Sequence, residues 1–195
     1  QTDGVNFCKV INEQSYDYSL YYQKKLKNLL NKLPKKNKEK INYCNKKKIF
    51  INQEIIKLLK KFIKKNKYKK EDIDFIGLSG QTIFHDPQKK ISIQLGSGEI
   101  ITNKIQIPTI TNFRDKDIKF GGQGAPIGCI YHKFLLKKID TNSAIINIGG
   151  VTNITLINKK KLIGYDLGPG NAIINDLAYH FYKKNYDKNG SYAER

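Results

Sequence analysis

Asp166 stands in the segment Gly164-Tyr165-Asp166-Leu167-Gly168-Pro169-Gly170-Asn171, where an acid at the end of an apolar run is followed by two glycines around a proline. Proline fixes a backbone torsion and glycine leaves the main chain bare, so the carboxylate is held still while a ligand can approach closely. A carboxylate fixed in this way suits general-base catalysis, in which position comes before pKa. The same residues also describe an Asp that closes a tight turn. Upstream, Asn147-Ile148-Gly149-Gly150-Val151-Thr152-Asn153 sets paired glycines between two apolar runs. With no side chains in between, backbone N–H groups there could meet a phosphate directly. The alternative is an ordinary hairpin turn. Gly170, Asn171 and the helix start behind them are further donors for an anionic ligand.

A second group of polar residues lies in 112–126, NFRDKDIKFGGQGAP. The Arg114 guanidinium matches a carboxylate bidentately, and Asp117 could fix that arginine or a ligand hydroxyl. Direct binding and a structural ion pair are both open for the two residues. Gln123 is the polar residue of the Gly-rich segment. A third group, IGLSGQTIFHDP at 76–87, contributes Gln81, Thr82 and His85. A lone histidine is more often a structural hydrogen-bonder than a catalyst.

The elements that must hold these groups are legible in part. Residues 3–11 read as a turn and a strand. Leu20, Leu26, Leu29, Leu30 and Leu33 make a helical stripe over 20–33, stopped by Pro34, and a longer helix covers about 50–66. Short strands are expected at 75–78, 91–95 and 105–111, and a helix runs through Ile130, Phe134 and Leu135. Strands follow at 143–148, 154–157 and 162–165 around a turn at 158–161, and Asn171 is placed to cap a helix from Ala172 to about Tyr182. Alternating strands and helices predict an α/β architecture. The Gly turns at 3–11 and 146–157 echo one another, as though each opened one of two domains.

Composition narrows the function classes. The 195 residues carry a formal net charge of +19, concentrated between Lys9 and Lys70. Such an excess can mark nucleic-acid or membrane binding. Here lysine far outnumbers arginine, asparagine and isoleucine are abundant too, and the aromatics fall at helical spacings, so the lysines read as a solvated face. No nucleic-acid partner and no membrane span are expected. Cys8, Cys44 and Cys129 are scattered, give no zinc spacing, and fit a reducing cytoplasm as small buried residues. There is no initiator Met, and the chain reads as a fragment of a longer protein.

Taken in order, 76–87, 94–96 (QLG), 112–126, 147–155 (NIGGVTNIT), 164–171 and 187–190 (DKNG) resemble the anhydro-N-acetylmuramic acid kinases. Upstream of Ile76 the resemblance is limited to Asp3-Gly4-Val5, which matches the end of that family's first phosphate loop, and a helical region of fitting length. The resemblance implies an actin/hexokinase-like (ribonuclease H-like) two-domain kinase fold, with residues 1–138 as the N-terminal domain and 139–195 as the start of the next, their boundary falling at 138–142. It makes Asp166 the catalytic base that activates a water against the anomeric carbon of 1,6-anhydro-N-acetylmuramic acid while O6 takes the γ-phosphoryl of ATP. It assigns Asp3, Gly4, Val5, Gly149, Gly150 and Asn153 to the nucleotide phosphates. Gln81, His85, Arg114, Asp117, Gln123, Gly168, Gly170 and Asn171 go to the sugar, with Arg114 facing its lactyl carboxylate. It implies ATP with Mg2+, an amino-sugar partner, a cytoplasmic location, a homodimer at full length, and a role in peptidoglycan recycling. The chain departs from the family at Leu78, Ser79 and Asn112, where Ser, His and Asp are usual. Two rivals remain beside nucleic-acid binding: a kinase of the same superfamily for another sugar, and a degenerate homologue that binds a cell-wall sugar without turnover.

Overall fold

The structure, a computed structural model, describes residues 1–4, 7–136, 142–158 and 161–194. It is a mixed α/β protein that divides into two compact units, Gln1–Gly124 and Ala125–Arg195. The boundary expected at 138–142 falls, apart from Asn142, outside the described residues.

The first unit is built around three helices. α1 (Leu20–Asn31) starts at Ser19, whose hydroxyl accepts the Tyr22 N–H at 3.2 Å. α2 (Asn37–Lys46) and α3 (Lys48–Lys65) follow. β1 (Ile76–Gly77) is followed by a hairpin of β2 (Gln81–Asp86) and β3 (Ile91–Leu95), then α4 (Gly98–Ile105). β4 (Thr109–Ile110) pairs parallel to β1, and α5 (Asp115–Lys119) ends the unit's regular elements. Tyr22, Leu29, Cys44, Ile51, Ile83 and Leu95 form one core cluster, and Ile101, Ile105 and Ile107 another. Ile55 of α3 packs against both, so α3 ties the hairpin to α4. Lysines of these helices such as Lys57, Lys60, Lys61, Lys64 and Lys65 are exposed, as expected of a solvated face.

The second unit begins with α6 (Cys129–Leu135) and continues into an antiparallel sheet, β5 (Ser143–Ile148), β6 (Val151–Ile157) and β7 (Leu162–Pro169), with β6 in the centre. α7 (Asn171–Tyr182) follows β7 with one residue between.

Several expectations need correction. Among the described residues of 3–11 no strand forms: a single bridge joins Thr2 to Cys8, and Val10 and Ile11 stay exposed. No further strand among the described residues pairs with them, and a two-stranded contact is marginal alone. The strand expected over 105–111 shrinks to Thr109–Ile110, because Ile105 closes a helix instead. Ser97 caps that helix through Ile100 N–H, and Ile101 and Ile105 are buried one turn apart. Cys8 is exposed, unlike Cys44 and Cys129. Asn171 is the first helical residue rather than the cap; Gly170 occupies the cap position and no side chain closes it.

Candidate active site

Asp166 and the glycine segments come together at one end of the second unit's sheet. Register pairs Asn147 with Asn153 and Asn153 with Asp166, so the three polar residues form one row across β5, β6 and β7 on a single face. Between Asp166 and Gly168 the pairing slips: Thr152 lies opposite Gly168 and Asn153 opposite Asp166, leaving Leu167 as an extra residue. Such a bulge bends the strand and re-aims its side chains, and bulges recur beside active sites. Asp166 is exposed, and among the described residues no hydrogen bond or ion pair engages its carboxylate.

The two ends of the bulged segment are fixed. Beyond it, Gly170 N–H donates to the Gly150 carbonyl at 2.8 Å, Asn171 N–H to the Gly149 carbonyl at 2.8 Å, and Ala172 N–H to the Gly150 carbonyl at 3.3 Å. The Asn171 amide also donates to the Ile148 carbonyl at 3.3 Å. The first N–H groups of α7 are therefore spent on the hairpin turn, which corrects the expectation that they point at an anionic ligand. Ahead of it, Gly164 lies against α6: a Cβ there would stand 2.0 Å from Cys129 Sγ.

The glycines separate into those the fold demands and those it does not. At Gly170 a Cβ would meet the Gly149 carbonyl at 2.5 Å and Thr152 Oγ1 at 2.7 Å, so packing excludes a side chain. Gly168 has φ +147°, a left-handed backbone that favours glycine. Gly149 and Gly150 differ: added Cβ atoms would find nothing nearer than 3.4 Å and 3.9 Å, and neither has a left-handed φ. The fold tolerates side chains at both. At the N-terminal turn, Asp3 accepts the Phe7 N–H at 2.8 Å and Gly4 has φ +79°. Val5 lies outside the described residues.

In the first unit the remaining candidates fall into two groups. His85 Nδ1 and Ser92 Oγ are 2.8 Å apart across the β2–β3 hairpin, and the Gln94 amide donates to the same hydroxyl at 2.7 Å. Gln81 pairs with Leu95 and His85 with Ser92. Leu95 and Ser92 are three apart on an uninterrupted strand, so Gln81 and His85 occupy opposite faces of the hairpin; the bulge at Ile83 parts them. The alternation of ISIQL puts Ser92 and Gln94 on one face. A cavity of about 520 Å³ runs along β3 between α2 and α5, with Ser92, Gln94, Asn112 and Asp115 in its wall.

Asp117 has a defined local task. Its carboxylate accepts the buried Gly124 N–H at 2.6 Å and lies where a Cβ on Gly122 would be, while its carbonyl accepts Gly122 N–H at 2.8 Å. It clamps the Gly-Gly-Gln-Gly loop that carries Gln123, and it makes no ion pair with half-buried Arg114. Of the family departures, Leu78 packs against the α4 core cluster, and Asn112 has φ +62°, which asparagine tolerates better than most residues.

The arrangement sets an exposed carboxylate beside a glycine turn, and comparison with known proteins gives the family. Residues 5–195 match the family model for anhydro-N-acetylmuramic acid kinase, so the chain belongs to that family. An anhydro-N-acetylmuramic acid kinase from Sulfurimonas denitrificans is 44% identical over 138 residues, 70% of this chain and 37% of the relative. Relatives of the same name from Bradyrhizobium diazoefficiens and Pelagibacter ubique are 39% and 41% identical over 68% and 61% of this chain, and 37% and 33% of their own lengths. The chain thus spans about a third of the length of the curated relatives it matches.

Proposed function

We propose that the full-length protein phosphorylates 1,6-anhydro-N-acetylmuramic acid to N-acetylmuramic acid 6-phosphate at the expense of ATP, opening the anhydro ring in the process. Asp166 takes a proton from a water that bonds to the anomeric carbon. The bond from that carbon to O6 breaks, and O6 bonds to the γ-phosphorus as ADP leaves. The observation that carries this reading is the Gly149-Gly150 turn: its glycines are not required by packing, and it is hydrogen-bonded to the segment that follows Asp166. A triphosphate needs bare N–H groups at such a turn; the Gly149 N–H is donated to the Val151 carbonyl at 3.2 Å, so the Gly150 N–H is the one that would meet a phosphate, and Asn153 stands in the same row as the base.

The wider reading is an actin/hexokinase-like, ribonuclease H-like fold of two domains, 1–138 and 139–195 with its continuation. Asp3, Gly4 and Val5 would form the first phosphate loop. Gln81, His85, Arg114, Gln123 and Gly168 would meet the sugar, with Asp117 acting through the loop it clamps and Gly170 and Asn171 through the turn they hold. Among the described residues no three His, Cys, Asp or Glu side chains gather into a metal cage. Mg2+ commonly takes only one or two carboxylates together with substrate phosphates, so an ion carried by ATP would need no more than a single acid of this chain such as Asp3, leaving Asp166 to act as the base. Bound there, it would neutralise triphosphate charge. No helix among the described residues is long and apolar enough to cross a membrane. A cytoplasmic homodimer in peptidoglycan recycling completes the proposal.

The test is ADP release by the full-length enzyme, coupled to a spectrophotometric readout, with and without the anhydro-sugar. Sugar-dependent ADP release is expected. Sugar binding without ADP release would identify a non-catalytic homologue and overturn the proposal.

A further inference from the structure

Thr155 is fully buried at the centre of the second unit's sheet, and it is polar. Its hydroxyl lies 2.8 Å from His132 Nδ1 and 3.3 Å from Cys129 Sγ, both on α6. Across β7 its register partner is Gly164, and Cys129 Sγ fills the space a side chain there would take. Pro126 crowds the same spot: its Cγ would be 3.1 Å from a Cβ on Gly164. α6 is therefore docked on β6 and β7 at one rung, by one hydrogen-bonded pair and one glycine vacancy. The next rung on the same sheet face is Asn153–Asp166.

A hydroxyl donates once and accepts through its lone pairs, so Thr155 can serve His132 Nδ1 and Cys129 Sγ at the same time. A buried hydroxyl that lost these partners would pay its desolvation cost uncompensated, which makes the contact specific in position as well as favourable. A Val side chain could fill the same volume but would leave α6 free to slide on an apolar surface.

We infer that Thr155 and His132 are positioning residues for Asp166. The bulged segment carrying Asp166 is pinned at two places: behind it at Gly170–Ala172 by the Gly149-Gly150 carbonyls, and ahead of it at Gly164 by α6 through Thr155 and His132. Between the pins the register runs unbroken from Gly164 to Asp166 and slips by one residue at Leu167, so the carboxylate stands in register with the α6 pin and one bulge away from the other. Neither residue meets a reactant. The kinetic part of this inference rests on the function proposed above; the structural part does not.

The test uses Thr155→Val, Thr155→Ser and His132→Gln in the full-length enzyme, with two readouts. In steady-state kinetics, Thr155→Val should lower kcat by about 10- to 100-fold, the usual cost of a base misplaced by around an ångström, with KM for both substrates nearly unmoved. Thr155→Ser, which keeps the hydroxyl, should restore most of the loss. In hydrogen–deuterium exchange, the amides of 164–170 should exchange faster in Thr155→Val than in the wild type or Thr155→Ser. His132→Gln, which alters only a half-buried helix position, should show both effects even if Thr155→Val folds poorly. The inference is overturned if the hydroxyl-free and His132 variants keep wild-type exchange over 164–170, or if Thr155→Ser is as impaired as Thr155→Val. Should the wild type release no ADP, the kinase reading fails, and the exchange measurement decides the positioning claim by itself.

Discussion

Gly150→Ala and Gly170→Ala add the same methyl group at two glycines that touch one another through hydrogen bonds, and the structure assigns them opposite consequences. At Gly150 the new Cβ meets nothing nearer than the Ala172 Cβ at 3.9 Å, an ordinary contact, and the backbone is not left-handed. Folding stability should change by less than about 1 kcal/mol, and the restriction of the unfolded chain favours a slight gain. At Gly170 the methyl would stand 2.5 Å from the Gly149 carbonyl, so the turn and α7 must separate, at a cost of about 1–3 kcal/mol typical of overpacking. Nucleotide binding should sort the other way in its cause. If the Gly150 backbone meets a phosphate, a methyl that breaks one charged hydrogen bond costs about 1.5–3 kcal/mol, or about 10- to 150-fold in affinity. The assay pairs nucleotide-free thermal unfolding with the KM for ATP in the full-length enzyme. Gly150→Ala should keep its melting temperature and lose ATP affinity, whereas Gly170→Ala should lose both. A Gly150→Ala enzyme with normal stability and normal KM would refute the argument that ligand approach, and not folding, requires that glycine.

Three further perturbations follow from the geometry. Asp117→Ala removes the acceptor for the Gly124 N–H and should destabilise the protein by about 1–2 kcal/mol in chemical denaturation, while Asp117→Asn, which retains an acceptor, should cost less; equal effects would show that the clamp is not the residue's task. Burial, with smaller contributions from neighbouring Tyr18 and Glu54, pushes the Tyr22 phenol up to about 12 from its ordinary 10.0. The neutral phenol is thus favoured by folding: its contribution is complete below pH 10 and is lost between about pH 10 and 12. Unfolding free energies measured across that window should fall less steeply in Tyr22→Phe, and identical slopes would contradict the assignment. Reversing exposed Lys57, Lys60, Lys64 and Lys65 to Glu should leave turnover within about threefold, as expected for surface charges that steer rather than specify. A loss of orders of magnitude in a folded variant would place those lysines at the cleft.

The candidate site was more legible in the sequence than the elements around it, for physical reasons. The Leu stripe of α1 and the alternation of β3 announce themselves because one face of each is buried. α2 escaped because it buries only Cys44 and is otherwise rich in Lys and Asn, so its helical period carries little apolar contrast. The Ile105–Ile107 alternation imitated a strand because Ile105 ends a helical stripe and Ile107 is buried just beyond it. Asp166 was visible through its glycines, but the bulge at Leu167 was not, since a bulge is a property of pairing between two strands. Nor could spacing reveal that α7 spends its first N–H groups on Gly149 and Gly150, or that Asp117 closes a loop instead of pairing with Arg114. These depend on contacts far apart in sequence. The lock of Thr155 on His132 and Cys129 was hidden for the same reason, since it joins a strand to a helix more than twenty residues away.

The central claim is that Asp166 is the base, and Asp166→Asn in the full-length enzyme tests it most directly. The amide keeps the size of the side chain and most of its hydrogen bonding but cannot take the water's proton. Because the carboxylate is exposed and engages no described residue, the melting temperature should not move. Binding of the anhydro-sugar, measured by calorimetry, should stay within a few-fold. Turnover, measured as sugar-dependent ADP release, should fall by about 10²–10⁴, the usual contribution of a positioned general base. An Asp166→Asn enzyme that phosphorylates the anhydro-sugar at close to the wild-type rate would contradict the account and leave Asp166 as a residue of the turn.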